Sequence, residues 1–375
     1  MSDDQLIQFV EQLSGEVHLR VEENLGSGFV RLRSAEAERR QAKHDIRWVE
    51  DIVIELLRNA RDAGAQTIFV ATTRDGDERL LTVLDDGAGI PATMQQTVFE
   101  PRVTSKLDTM VMDNWGVHGR GMALYSIKAN TLEARVVDSA LDLGTAILVR
   151  ADTKQLAEKH DQSSLPTVEK DEDGNQRAAR GPHNIVRTVA EFALDNQSAG
   201  RQNIVVYFGS PAEITATLMD YGHRQLKREE LLFCKDVNLL PVTQRLAASG
   251  DALDLEAMAA KIGLGISERT AHRILAGQIE PLRPLLKRIL YGNAAGGAAG
   301  NAGNASSVGV DGVGAALSKD IRGLKVSKDD LDVFSRSMEE AFEQLAERYY
   351  LSLSDLPKVS IKGDTITVKF HIEKD

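Results

Sequence analysis

Apolar residues recur at three- and four-residue intervals between Ile46 and Ala63, at Val49, Val53, Leu56, Leu57, Ala60 and Ala63, which predicts an amphipathic helix with one buried stripe. Glu55, Asn59 and Asp62 fall on a second stripe of the same helix, at i, i+4 and i+7. Gly64 then supplies a stop signal. The period changes from helical to extended in "QTIFVATTRDGDERLLTVLDD", which predicts a hairpin turned at Asp75-Gly76. A glycine-rich stretch, a second apolar helix and two further strand-like runs carry the pattern to about Asp152. Residues 44–152 thus predict a compact α+β domain.

The flanking pattern divides the rest of the chain. Residues 1–43 alternate apolar and charged positions and end in "SAEAERRQAKHDIRW", so a helical region is expected there. Residues 153–222 begin as a polar loop around "EKDEDGNQRAARGPH" and continue as a mixed α/β segment: a helix near "NIVRTVAEFAL", a strand "NIVVYF", and a helix opened by Ser210 and Glu213 at capping-box spacing. Residues 223–291 read as mostly helical. Residues 292–317, "GNAAGGAAGNAGNASSVGVDGVGAAL", are almost free of charge and of the large apolar groups needed for a core and predict a flexible Gly/Ala/Asn tether. Beyond it, 318–375 predicts a small unit of a helix and a hairpin, "KVSIKGDTITVKFHI".

Composition narrows the function classes. With 375 residues, 42% of them hydrophobic, the chain can bury a substantial core. Its formal net charge of -11 argues against a surface coated for sequence-independent nucleic-acid binding. One cysteine, Cys234, excludes an internal disulfide and a cysteine-rich zinc site. The opening residues carry no basic stretch followed by an apolar run, and no stretch reaches transmembrane length, so a cytoplasmic protein with no membrane contact is expected.

Taken alone, the stripe of Glu55, Asn59 and Asp62 is most simply a solvated face. The segments after it suggest otherwise. "LLTVLDDGAGIP" brings a strand to Asp85 and Asp86 and breaks it at Gly87 and Gly89, where backbone can approach a flat ligand. "FEPRVTSK" follows, and "NWGVHGRGMALYSIKAN" places Gly116, Gly119 and Gly121 ahead of an apolar helix, an arrangement of backbone N–H groups suited to phosphates. Gly144 and Thr145 open a further strand in "LDLGTAILV".

This ordered set resembles the GHKL ATPase superfamily, which includes gyrase, the heat-shock-90 chaperones, histidine kinases and mismatch-repair MutL. "ELLRNARDAGA" is closest to the E-x-x-x-N-x-x-D-A-x-A box of the MutL and topoisomerase type, "DDGAGI" matches D-x-G-x-G, "FEPRVTSK" resembles both the kinase F box and the T-S-K of MutL, and "GVHGRGMAL" matches the second glycine box. The resemblance covers about 100 residues, Asp51 to Val149. It implies a Bergerat-type ATP-binding α/β sandwich that takes ATP and Mg²⁺. Asp85 would accept from the adenine amino group, with Gly87, Gly89 and Thr145 around the base. Asn59 would be the protein ligand of Mg²⁺. Glu55 would polarise the water that attacks the γ-phosphate. Gly116, Gly119 and Gly121 would line the phosphates, and Lys106 would approach the γ-phosphate from a lid. Asp62 is read as structural.

The resemblance further implies an ATP-driven conformational switch acting on a macromolecular partner, in which ATP closes a lid and often dimerises the domain, so a homodimer is one expectation. Two alternatives stay open. "KHDIR" invites a histidine-kinase-like phosphotransferase, although His44 lies only eleven residues before Glu55 and near the start of the same expected helix. "LEAMAAKIGLGISERTAHRILAGQ" resembles a helix-turn-helix, with Ser267 capping a helix that carries Arg269, His272 and Arg273, which suggests a nucleotide-responsive regulator contacting DNA through residues 255–275. Its turn, "GLGIS", holds two more residues than usual. Residues 223–291 carry eleven Lys or Arg against eight Asp or Glu, a local positive excess in an acidic chain.

Overall fold

The computed structural model describes residues 21–33, 36–105, 111–113, 116–118, 121–159, 161–162, 164–170, 176–198, 204–227 and 236–291, and in the C-terminal part 342, 351–353, 357–362, 365–370 and 372–374. The chain divides into two compact units, Met1–Gly297 and Ala298–Asp375.

Among the described residues, the first unit opens with strands β1 (Val21–Gly26) and β2 (Phe29–Leu32), then helices α1 (Glu36–Asp45) and α2 (Val49–Asp62), and the hairpin β3 (Thr67–Asp75) and β4 (Glu78–Asp85). Short strands β5 (Val103–Thr104), β6 (Val111–Asp113) and β7 (Gly116–His118) precede α3 (Ala123–Ala129), β8 (Glu133–Ser139) and β9 (Thr145–Asp152). A hairpin of β10 (Thr167–Lys170) and β11 (Gln176–Arg180) leads to α4 (Ile185–Ser198), β12 (Val205–Gly209), α5 (Pro211–Gln225), α6 (Ala252–Lys261), α7 (Glu268–Leu275) and α8 (Leu285–Tyr291). The helical region expected over 1–43 is corrected for 21–32, where β1 and β2 form an antiparallel hairpin. The turn signal is local: Gly26, Ser27 and Gly28 all have positive φ, at 80°, 51° and 79°.

One five-stranded sheet, in the order β12-β3-β4-β9-β8, organises the unit. Its pairs are antiparallel except β12 with β3, which run parallel. Side chains alternate across it, as the two-residue strand period requires. On one face Ile68, Val70, Leu81, Val83, Ile147 and Val149 pack against Val49, Ile52, Val53, Leu56 and Leu57 of α2 and against Ile185, Val189 and Phe192 of α4. On the other, Phe69, Ala71, Leu84, Ala146 and Tyr207 meet Ile214 and Leu218 of α5, Leu255 and Ala259 of α6, and Ala271 and Ile274 of α7. Phe69 stacks on Tyr207 with ring centroids 4.9 Å apart.

The two apolar faces explain why the segments 44–152, 153–222 and 223–291 share cores. A sheet with both sides hydrophobic must be covered on both sides. Residues from α4 and β12 complete the first core and extend the sheet, while the helical segment seals the second face. The capping box at Ser210 forms: its hydroxyl accepts from the Glu213 N–H, and Glu213 accepts in return from the Ser210 N–H at 2.8 Å.

The start of α2 is fastened by a buried carboxylate. Glu50 accepts from the Lys159 N–H at 3.2 Å and from Gln162 Nε2 at 2.7 Å, while Gln162 Oε1 accepts from the first N–H of α4 at 3.0 Å. Burial pushes the Glu50 carboxyl above its ordinary pKa, opposed by those hydrogen bonds.

In the second unit, β14 (Lys358–Lys362) pairs antiparallel with β15 (Thr365–Lys369), and β13 (Leu351–Leu353) with β16 (Ile372–Lys374). The tether expected over 292–317 lies outside the described residues, as does nearly all of the helix expected before this hairpin.

Candidate functional site

The polar stripe of α2 faces a cavity of about 880 Å³, lined also by Asp85, Gly89, Thr104, Gly121, Met122 and Thr145. Its size falls within the range of small-molecule sites. Glu55, Asn59 and Asp62 all reach its wall. The helix places them there because its buried stripe is committed to the sheet, leaving the adjacent stripe at the edge of that contact. Helix geometry ends at Asp62, and Gly64 follows with φ 78°.

Asp85 ends β4 directly opposite Thr145 of β9. Its side chain is buried, and Oδ1 accepts from the Gly87 N–H at 2.9 Å. The neighbouring Asp86 does different work: its Oδ1 accepts from the Gln66 and Thr67 N–H groups at 2.7 and 2.8 Å, closing the junction between α2 and β3. Ser139, which the sequence did not single out, secures the glycine loop. Its hydroxyl donates to the Gly144 carbonyl at 2.9 Å, accepts from the Ile90 N–H at 2.7 Å and lies 3.1 Å from Thr145 Oγ1.

Gly89 has a closer reason to be glycine than ligand approach. It has φ 72°, and a Cβ there would stand 1.8 Å from the Ala140 carbonyl oxygen. Gly144 has φ 79°, and its Cβ would meet the Asp85 carbonyl oxygen at 2.1 Å. Gly87 packs beneath Ala63, 2.9 Å from its carbonyl oxygen by the same measure. These glycines therefore allow close backbone packing at the end of β4, and Gly89 among them lines the cavity.

The second glycine box is less simple than a loop running into a long helix. Gly116 opens β7, paired with Asp113, and the helix after Gly121 has only seven residues. Gly121, with φ 65°, lies against β5, where a Cβ would be 2.9 Å from the Val103 carbonyl oxygen. Lys106 and Gly119 lie outside the described residues.

Arg58, Arg102 and Trp48 are among the cavity-lining residues that the sequence patterns did not single out. Arg58 is buried and donates from Nη1 to Glu55 Oε1 at 2.6 Å, one turn along α2. The i, i+3 spacing inside "ELLRN" was the available signal. Trp48 precedes α2, and Asp51 Oδ2 accepts from its N–H at 2.9 Å. His44 departs from expectation: it belongs to α1, a helix separate from α2, and is exposed.

The family described as histidine kinase-, DNA gyrase B- and HSP90-like ATPase matches residues 44–155. Residues 44–155 are a domain of that ATPase family. Among curated proteins, the chain is similar to the DNA mismatch repair protein MutL of Parabacteroides distasonis, 38% identical over 102 residues, covering 26% of this chain and 16% of that protein. It is similar also to MutL of Thermus aquaticus, 39% identical over 110 residues, 29% of this chain and 20% of the relative. MutL of Chelativorans sp. is 41% identical over 101 residues, 26% of this chain and 16% of its own length. The chain therefore matches no more than about a fifth of the length of these relatives. The ATPase-family domain and its sheet agree with the α/β sandwich expected from the sequence.

The cavity of the ATPase-family domain fits a magnesium nucleotide. Asn59 Nδ2 is buried with no hydrogen-bond partner, an amide left to be satisfied by a ligand or, with its two ends exchanged, by a cation. Among the described residues no group of three or more His, Cys, Asp and Glu side chains converges on a metal position. A single amide ligand completed by phosphate oxygens and water suits magnesium, which seldom needs an all-protein cage. Among the described residues no helix is long and apolar enough to cross a membrane.

Proposed function

We propose that this chain binds Mg-ATP in the cavity beside α2 and hydrolyses it, using the cycle as a conformational switch on a macromolecular partner. The observation that carries the reading is the convergence on one cavity of Asp85 and Thr145, paired across two strands, with Glu55 and Asn59 on one helical stripe. The family match and the similarity to MutL support it.

In this reading Asp85 accepts from the adenine exocyclic amine, and a carboxylate, which only accepts, disfavours the guanine carbonyl in the same place. Asn59 supplies the side-chain ligand of the cation. Magnesium, when bound, would offset phosphate charge and align the terminal group. Glu55 orients a water and takes its proton as the water oxygen bonds to the γ-phosphorus and the bond to the bridging oxygen breaks, leaving ADP and inorganic phosphate. Arg58 holds the Glu55 carboxylate in one orientation through the 2.6 Å ion pair.

Calorimetric titration of the full chain tests the site. Mg-ATP should bind in preference to Mg-GTP, and Asp85→Asn should abolish ATP binding while circular dichroism stays native. Undiminished ATP affinity in a folded Asp85→Asn chain would remove the adenine assignment. Light scattering with and without nucleotide tests self-association, which the reading allows as its closed state.

The exposed face of α7 favours a second reading, a nucleotide-responsive DNA-binding regulator. Ser267 caps α7, accepting from the Thr270 N–H at 3.3 Å, and Arg269, His272 and Arg273 point away from the core that Ala271 and Ile274 enter. The phosphotransferase alternative has less to rest on, since exposed His44 belongs to a different helix from Glu55.

A further inference from the structure

Arg102 is a constrained charged residue at the cavity. It has a positive φ of 63°, a left-handed region that side chains with a Cβ enter only at a cost. Its backbone is tied on both sides: the Arg102 N–H donates to the Gly121 carbonyl at 2.8 Å, and its carbonyl accepts from the Leu32 N–H at 2.9 Å. The residue thus joins the N-terminal hairpin to the second glycine box. Its side chain is only 5% exposed, yet reaches the cavity wall.

The guanidinium is half satisfied. Nη2 donates to Glu38 Oε1 at 2.5 Å, while Nε is buried without a hydrogen-bond partner. An unpaired buried donor of a charged group is costly, so it persists where something else is meant to meet it. Glu38 is different in kind: its side chain is 37% exposed, on a helix whose buried residue is Ala42. Helix α1 contributes Glu38, Gln41, Ala42 and Asp45 to the cavity wall, and Asn130 Nδ2 donates to its Lys43 carbonyl at 3.1 Å. It is a polar helix at the cavity wall, and this ion pair is one of its attachments.

We propose that Arg102 reads the terminal phosphate of a nucleoside triphosphate, and that Glu38 stands in for that phosphate when it is absent. The inference rests on the nucleotide reading of the cavity. Guanidinium groups bind carboxylate and phosphate through the same planar fork, so the two anions compete for one cation. A γ-phosphate engages Nη2 and the unpaired Nε together, Glu38 is released, and α1 loses one of its fastenings. A diphosphate leaves the Glu38 pair in place. Because binding of the phosphate and release of α1 are linked, each weakens or strengthens with the other.

The test uses the full chain, the β,γ-imido analogue of ATP, and ADP, all with magnesium. Glu38→Gln should tighten analogue binding about tenfold, because the competing anion is gone, and leave ADP binding unchanged. Arg102→Gln should weaken analogue binding about tenfold with ADP unchanged, and Arg102→Lys should recover part of the loss. In the wild-type chain the analogue, and not ADP, should raise amide hydrogen exchange over residues 36–45. Glu38→Gln carries the decision if Arg102→Gln fails to fold, since Glu38 is at the surface. Equal changes for both nucleotides, weaker analogue binding in Glu38→Gln, or exchange in α1 indifferent to the analogue would each overturn the proposal while Asp85-dependent nucleotide binding stands. A wild-type chain that binds neither nucleotide would overturn both readings.

Discussion

Helices α2 and α7 lie on opposite faces of the same sheet, and each buries an apolar stripe while leaving ionisable side chains beside it. On α2 the polar stripe lines a cavity of about 880 Å³ together with Asp85 and Thr145. On α7 Arg269, His272 and Arg273 are exposed, and His272 Nε2 sits 3.7 Å from Glu268 of the same helix. Helical spacing alone treats the two stripes alike. What separates them is the opposing wall: polar groups between a helix and a strand end lose part of their contact with water and are held in direction, whereas groups facing water are screened.

The largest expected effect comes from the glycines on the two sides. Gly144→Ala places a Cβ 2.1 Å from the Asp85 carbonyl oxygen in a left-handed backbone, so the junction of β4 and β9 should fail, with loss of soluble folded protein. Gly265, in the turn before α7, has open space where its Cβ would go, and Gly265→Ala should melt within a few degrees of wild type. Matched thermal unfolding of the pair decides; similar melting would mean the junction of β4 and β9 is more yielding than its packing indicates.

Glu55→Ala should lower phosphate release by roughly a hundredfold or more while Mg-ATP binding persists, because the water loses its base and the binding groups remain. Hydrolysis at the wild-type rate would show that the α2 stripe binds without catalysing. Incubation with γ-labelled ATP should leave no acid-labile label on the chain; label that vanished in His44→Ala would transfer the reading to phosphotransfer.

A smaller effect is expected on the far face. Any duplex DNA binding through α7 should be weak and fall steeply with salt, and Arg269→Ala combined with Arg273→Ala should lower its salt slope by about two. Binding that ignores the double change would place the contact elsewhere, and its complete absence in wild type would make α7 a solvated face.

The smallest effect concerns Glu50. Burial holds its folded carboxyl above the unfolded value, so the folded chain binds that proton more tightly, and the stability this contributes at low pH is lost as pH rises through the folded pKa. Glu50→Gln keeps an acceptor for the Lys159 N–H and removes the charge, so its melting temperature relative to wild type should rise from acid toward neutral pH. A constant difference across that range would show that the carboxylate is better compensated than its burial suggests.

Much of the cavity was legible in order and spacing. The helical period placed Glu55, Asn59 and Asp62 on one face, and "DDGAGI" marked the end of β4. Ser139 was not legible, because a serine at a strand end has no signature until Gly144, Thr145 and Ile90 are brought around it. Arg102 was hidden inside a matching box: nothing local says that its backbone turns left-handed or that Glu38, sixty-four residues earlier, lies beside it. The hairpin of β1 and β2 lost to charge alternation that also suits a helix, although "LGSGF" carried its turn.

The chain's own local chemistry determined where α2 runs, where β4 breaks, and that Ser210 and Ser267 open helices, since each depends on groups within a few residues. Only the tertiary structure decided that β12 joins β3 in parallel and that the segment from α5 to α7 seals the second face. Both outcomes follow from long-range burial: residues 68–71 are apolar on both sides, a pattern that demands two covers without naming them. The same holds for the two aspartates at the end of β4. Asp85 faces the cavity and Asp86 caps the α2–β3 junction because one-residue alternation along a strand reverses the direction of a side chain, and which direction meets the cavity depends on what packs against the sheet.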